Sequence, residues 1–189
     1  MPSASESFFP SNAKRAYHGK IFDVWEWEQL LFDGTTATFE GLKRRHTAKV
    51  LATVDGKIMV TDEEQPVTGR YRSFPGGMID DGKTPLEQAQ EELLGETGYA
   101  SDDWELWESI RTFRTTDYTV HYFVARNCRK VAEPTPEPGE KIGVGFLSFD
   151  ELLLLSDDRE FIGAEFVNRL LRMRIHEEER EAFRKFLFK

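Results

Sequence analysis

Glu92 and Glu96 stand four residues apart in the run Pro-Leu-Glu-Gln-Ala-Gln-Glu-Glu-Leu-Leu-Gly-Glu that fills positions 85–96. On an α-helix that spacing sends both carboxylates from one face. Unaided, such a pair repels by roughly 0.2–0.5 kcal/mol in an isolated helix. A divalent cation between them reverses the sign, and hard oxygen donors suit Mg²⁺ or Mn²⁺. The alternative is an ordinary solvated acidic face. Pro75-Gly76-Gly77 precedes the pair and Gly98 follows it.

The element that carries the pair has a marked start and stop. Thr84-Pro85-Leu86-Glu87 reads as a capping box, the threonine hydroxyl taking a free N–H and Glu87 reaching back. Pro85 suits the first helical position, where a missing N–H costs nothing. The spacing predicts a helix over 85–96, with Gly98 taking the left-handed turn that ends it. Leu86, Ala89 and Leu93 recur at helical spacing and face a core.

The stretch from Gly77 to Tyr99 resembles the Nudix box, the metal-binding motif of the Nudix hydrolases. That pattern is a glycine, five residues, a glutamate, seven residues, then R-E-U-x-E-E-x-G-U. Gly77, Glu92, Leu93, Glu96, Gly98 and, loosely, Tyr99 match it. Three positions depart: Lys83 replaces the first glutamate, Glu91 the arginine and Gly95 a later glutamate. The resemblance implies that the arginine and first glutamate form a structural ion pair. Lys83 and Glu91 are either that pair with charges exchanged or two unrelated losses. Gly95 removes a carboxylate near the metals and, inside a helix, costs about 1 kcal/mol relative to alanine. The resemblance also implies that the Gly76 carbonyl is a metal ligand alongside Glu92 and Glu96.

Composition narrows the class. The chain has 189 residues, 39% of them hydrophobic, and a formal net charge of −9, which suits one soluble globular unit with a small appendage. Such acidity argues against broad nucleic-acid binding or an anionic membrane surface. No apolar run reaches the roughly eighteen residues of a membrane span. Positions 1–12 lack the basic and apolar regions of a secretory signal. The single cysteine, Cys128, permits no internal disulfide and fits a reducing cytoplasm.

Strands are expected over 21–28 and 36–42 around Asp33-Gly34, over 49–54 and 57–61 around Asp55-Gly56, and over 106–113, 118–125 and 142–147. Ser148 to Glu151 repeats the capping box, and 159–189 reads as helical with a charged stretch at 177–181. The division follows: a disordered lead over 1–14, an N-terminal β extension over 15–45 and the main domain over 46–189. This order resembles the Nudix α/β/α sandwich, an α/β fold with a mixed sheet and here a small N-terminal β-hairpin extension.

Within that family the N-terminal hairpin, the Gln65-Pro66 step, the acidic loop 133–139 and the closing helix resemble the branch that hydrolyses ADP-ribose and nucleoside diphosphate sugars. The resemblance implies a homodimer built with the N-terminal strands. It also implies a catalytic glutamate in the late loop, Glu140 first and Glu137 next, against a merely solvated loop. Relatives often carry a substrate-binding arginine where this chain has Val67, so Arg44, Arg70 or Arg72 must replace it. Trp25 could stack a nucleobase, cover a dimer interface or pack on its sheet. Two readings follow. One is a Mg²⁺- or Mn²⁺-dependent hydrolase of the pyrophosphate bond in a nucleoside diphosphate derivative, a nucleotide sugar such as ADP-ribose. The other is a Nudix-fold module that binds a nucleotide or a protein and hydrolyses little.

Overall fold

A computed structural model describes residues 8–111 and 113–189. Its strands are β1 Lys14–His18, β2 Asp23–Leu30, β3 Thr36–Lys43, β4 Thr47–Val54, β5 Lys57–Gln65 and β6 Gly69–Ser73. After helix α1, Pro85–Thr97, come β7 Tyr99–Ala100, β8 Asp103–Arg111, β9 Thr116–Asp117, β10 Thr119–Arg126, β11 Arg129–Lys130 and β12 Lys141–Leu147. The chain closes with α2 Phe149–Leu154, α3 Ala164–Ile175 and α4 Glu177–Leu187. It divides into two compact units, Met1–His46 with Arg111–Val120, and Thr47–Ile110 with His121–Lys189.

The first unit is a sheet in the order β1-β2-β3-β9. Antiparallel β2 and β3 turn at Asp33-Gly34, where Gly34 takes a φ of 86° that a side chain would resist. Of the lead expected over 1–14, residues 1–7 lie outside the described residues. Phe9 is buried and stacks on Trp25 at 5.6 Å between ring centroids. Gly41, opposite Trp25 in register, makes the room: a Cβ there would come within 2.3 Å of the Phe9 ring. Sheet packing is therefore where Trp25 is found.

The second unit is built on a sheet in the order β12-β5-β4-β10-β8, with β6 paired to β5. The β4–β5 hairpin turns at Asp55 (φ 48°) and Gly56 (φ 75°), the pair of positive φ values that suits the twist of tight hairpins. Val50, Ala52, Met59 and Phe123 meet Ala89 and Leu93 of α1 on one side. An aromatic set, Phe74, Tyr122, Phe166, Trp107 and Phe183, joins α3 and α4 to the sheet. The charged stretch at 177–181 opens α4: three glutamates occupy its first turn, where the positive end of the helix favours them. Residue 112, within the strand expected over 106–113, lies outside the described residues. No described helix is long and apolar enough to cross a membrane.

Candidate active site

The site starts with the turn after β6. Phe74 is buried, and the chain then lies along β4: Val50 N–H donates to Pro75 O at 2.8 Å and Ala48 N–H to Gly77 O at 3.0 Å. Gly76 has a φ of 141°, and a Cβ there would sit 2.1 Å from the Ala48 carbonyl. At Gly77 a Cβ would sit 2.3 Å from Glu92 Oε1. Glycine at both positions lets the turn close onto the strand and onto a carboxylate.

The box helix has the ends its sequence predicts. Thr84 and Glu87 form the capping box, and Gly98 caps the far end with a φ of 75°. Gln88 donates from Nε2 to Glu92 Oε1 at 2.8 Å, and the Gly76 N–H donates to Glu96 Oε2 at 2.9 Å. Glu96 is only 7% exposed. Burial pushes its carboxyl up to about 8; Lys49 opposes that rise, while Glu63 and Glu92 add to it. Glu92 is raised too, first by burial, with Gln88 and Lys49 acting in the opposite sense. Lys49, on β4, donates from Nζ to Ser73 Oγ at 2.8 Å, Phe74 O at 2.9 Å and Gly76 O at 3.0 Å.

Two further acids stand at this site. Glu140 accepts from Gln65 Nε2 at 2.9 Å, and burial followed by Glu137 and Glu63 raises its proton affinity. Its loop is anchored on the box helix, where Thr135 N–H donates to Gly95 O at 2.7 Å. Glu63, 6% exposed on β5, was not singled out from the sequence. It accepts from Thr61 Oγ1 and from the Tyr71 hydroxyl, both at 2.6 Å, and its charge bears on Glu96 and Glu140. The sequence offers little signal for it: Glu63 is the middle of three consecutive acids, Asp62-Glu63-Glu64, just past the strand expected over 57–61.

A divalent cation suits this donor set. Glu92, Glu96 and the Gly76 carbonyl are hard oxygens around a turn that only glycine allows, and Glu96 is a buried carboxyl short of positive charge. Among the described residues no three His, Cys, Asp or Glu side chains are grouped as a metal site.

The other candidates are dispersed. Lys83 pairs with Glu91, and with Asp80 at 3.0 Å, at the exposed start of the helix. Arg72 is bound to Asp62 at 2.9 Å and to Asp158 at 2.8 Å, which joins β6 to the chain before α3. Arg70 is exposed and meets Glu64 at 3.3 Å. Both arginines line a cleft of about 450 Å³ with Tyr71, Lys141 and Glu160. Arg44 belongs to the first unit, its guanidinium 4.4 Å from the Tyr118 ring centroid and 5.5 Å from that of Phe22. Its Nε and the Trp25 Nε1 have no hydrogen-bond partner.

With this geometry in place, the comparisons with known proteins agree. The NUDIX domain model matches residues 43–170, and the chain belongs to that family. It is, by class, a Nudix-type pyrophosphohydrolase. Among solved structures, an ADP compounds hydrolase superposes with a TM-score of 0.72 at 20% sequence identity, over 87% of this chain and 90% of that one. At that identity the likeness is one of fold.

Proposed function

We propose that the protein hydrolyses the pyrophosphate bond of a nucleoside diphosphate linked to another moiety, a nucleotide sugar such as ADP-ribose, with Mg²⁺ or Mn²⁺. The observation that carries this reading is the pair of buried Glu96 and half-buried Glu92 facing the glycine turn. The ADP compounds hydrolase of like fold supports the substrate class.

In this reading Glu92, Glu96 and the Gly76 carbonyl hold the cation. When bound there, it would neutralise pyrophosphate oxygens and lower the pKa of a water near neutral pH. Glu140 accepts the proton of the attacking water, and Gln65 fixes one of its oxygens so that the other is free to do so. Its raised proton affinity brings it closer to the working pH, as general-base catalysis favours. Glu63, held by Thr61 and Tyr71, adds to that affinity. Arg70 in the neighbouring cleft supplies a cation for the substrate's anionic part, and Tyr71 and Lys141 extend that wall.

The second reading, a module that binds but hydrolyses little, is favoured by one observation. Gly95 faces open space where the family carries a carboxylate. Formation of a nucleoside monophosphate and the matching second phosphate product from nucleoside diphosphate sugars, dinucleoside diphosphates and nucleoside triphosphates, each with Mg²⁺ and with Mn²⁺, decides between the two. Turnover confined to the diphosphate-linked compounds supports the hydrolase; binding of those compounds without turnover supports the module.

A homodimer is part of the same proposal. The first unit exposes Tyr17, Leu30, Phe32 and Phe39 on and beside its sheet, a large apolar surface for one small sheet to leave in water. Sedimentation equilibrium gives the mass directly. The buried, unpaired Cys128 fits a reducing compartment such as the cytoplasm.

A further inference from the structure

Lys49 is the only charged residue of β4, whose sequence is Thr-Ala-Lys-Val-Leu-Ala-Thr-Val. Its neighbours Ala48, Val50, Leu51 and Ala52 are fully buried. An ammonium on such a strand needs partners for its three protons, and Lys49 has three: Ser73 Oγ, Phe74 O and Gly76 O, at 2.8, 2.9 and 3.0 Å. Ser73 is itself 1% exposed, while Lys49 and Gly76 are half-buried. Two of the three acceptors are carbonyls of the turn, and Gly76 O is the carbonyl proposed above as a metal ligand. The turn packs on the lysine's own backbone: a Cβ at Gly76 would lie 2.8 Å from Lys49 Cα. The lysine charge also bears favourably on the ionised forms of both Glu92 and Glu96.

We propose that Lys49 is a built-in cation of this site, a positioning residue whose ammonium fixes the glycine turn and meets part of the charge of Glu92 and Glu96, so that a divalent ion binds against it. The proposal deepens the metal-dependent reading and rests on it. The Gly76 carbonyl has two lone pairs, so the ammonium and a metal can share it, and their competition is electrostatic. Gly95 fits the same pattern. The box lacks the carboxylate that its family carries at Gly95 and has one fixed ammonium beside Glu92 and Glu96, and both features lower the divalent charge the site needs. The turn is accordingly formed without metal, and metal affinity is set lower than two carboxylates and a carbonyl would give.

The test compares wild type, Lys49→Met and Lys49→Arg by thermal melts in a chelator and by Mn²⁺ titration, reading free Mn²⁺ by electron paramagnetic resonance. Lys49→Met should melt lower than wild type in chelator yet bind Mn²⁺ about tenfold more tightly, since a nearby positive charge has gone. Lys49→Arg should keep the wild-type affinity to within about threefold, well under one charge's effect. A merely structural lysine gives the opposite result for Met: a loosened turn binds Mn²⁺ more weakly. Unchanged or weaker Mn²⁺ binding by Lys49→Met overturns the proposal. If that variant does not fold in chelator, Lys49→Gln, which keeps donors and lacks the charge, carries the same comparison with the same outcomes. If wild type binds no Mn²⁺, the hydrolase reading falls by itself. The lysine's role is then judged by the chelator melts, where equal midpoints for wild type and Lys49→Met overturn it.

Discussion

The two ends of the box place similar charges in opposite surroundings. At the helix start Lys83 meets Glu91 and Asp80 where Lys83 keeps 32% of its side-chain surface in water and each acid more than half. About three turns on, Glu96 is almost wholly buried beside Lys49, Glu63 and Glu92. At the exposed end the ion pair raises the proton affinity of Lys83, chiefly through its bond to Glu91, and solvent screens the gain. At the buried end desolvation dominates and carries Glu96 up to about 8. An exchange of charges is tolerable in the first setting because little energy depends on sign. In the second a single change of charge alters both the fold's pH response and its affinity for cations. The departures from the family pattern fall accordingly: a swap at the surface, and a deletion, Gly95, where the space is open.

The largest effect expected from this contrast is at Glu96. Glu96→Gln keeps an oxygen for the Gly76 N–H and removes the charge. Hydrolysis of the best nucleoside diphosphate substrate should fall by more than about a hundredfold, beyond the range typical of residues that merely orient metal ligands. Stability should move the other way. The folded carboxyl titrates near 8 and the unfolded one near 4.5, so the folded protein holds the proton more tightly. That contribution is full below the unfolded value and is lost as pH rises through the folded one. In chelator, wild type should therefore lose on the order of a few kcal/mol between about pH 4.5 and 8 that Glu96→Gln does not lose. Urea melts across that range check it, and parallel curves for the two proteins would break the contrast between the ends.

Gly95 comes next. A Cβ there meets nothing within 4 Å, so Gly95→Glu is sterically free. It should gain roughly 0.5–1 kcal/mol of helix stability, less roughly 0.2–0.5 kcal/mol from the like charges of Glu91 and Glu92 at helical spacing. A restored ligand adds more when metal is present, because binding to the native state alone contributes RT ln(1 + [L]/Kd). Melts with and without Mg²⁺ should thus show a larger gain with it, together with faster hydrolysis. Equal gains under both conditions would mean that this position does not face the cation.

Much of the buried end was legible in the sequence because it is written in local signals. Capping residues, the proline at the first helical position and the left-handed glycine fix the box helix, and the i,i+4 spacing fixes its acidic face. Strand β6 was not legible. Gly-Arg-Tyr-Arg-Ser has no apolar alternation, and it is held by register with β5, Asp62 against Arg72, and by the backbone of Glu160 and Ile162. With β6 unseen, Tyr71 could not be set opposite Glu63, and the buried acid lay past the strand expected over 57–61. Lys49 was read only as the first residue of a strand. Its role depends on a turn that begins twenty-four residues later, Lys49 Nζ to Ser73 Oγ, and spacing along one chain does not encode that distance.

The smallest effect is the most direct measure of how little the exposed end depends on sign. Lys83→Glu and Glu91→Arg each place like charges together, since Lys83 now pairs with Glu91. The double variant restores opposite charges in the family's order. The two singles should each destabilise slightly, and the double should recover most of the loss, with a coupling of about 0.2–1 kcal/mol. Asp80 makes the cycle asymmetric. It holds Lys83 at 3.0 Å, so Lys83→Glu also brings a new acid against Asp80, and the double should recover less than the whole. Added salt should shrink the coupling, because both partners are partly in water. Denaturant titrations of the four proteins at two salt concentrations measure it. Strict additivity would make Lys83 and Glu91 independent departures that happen to touch. A coupling well above this range, insensitive to salt, would show that the helix start is as shielded as Glu96, and the contrast between the two ends would fail.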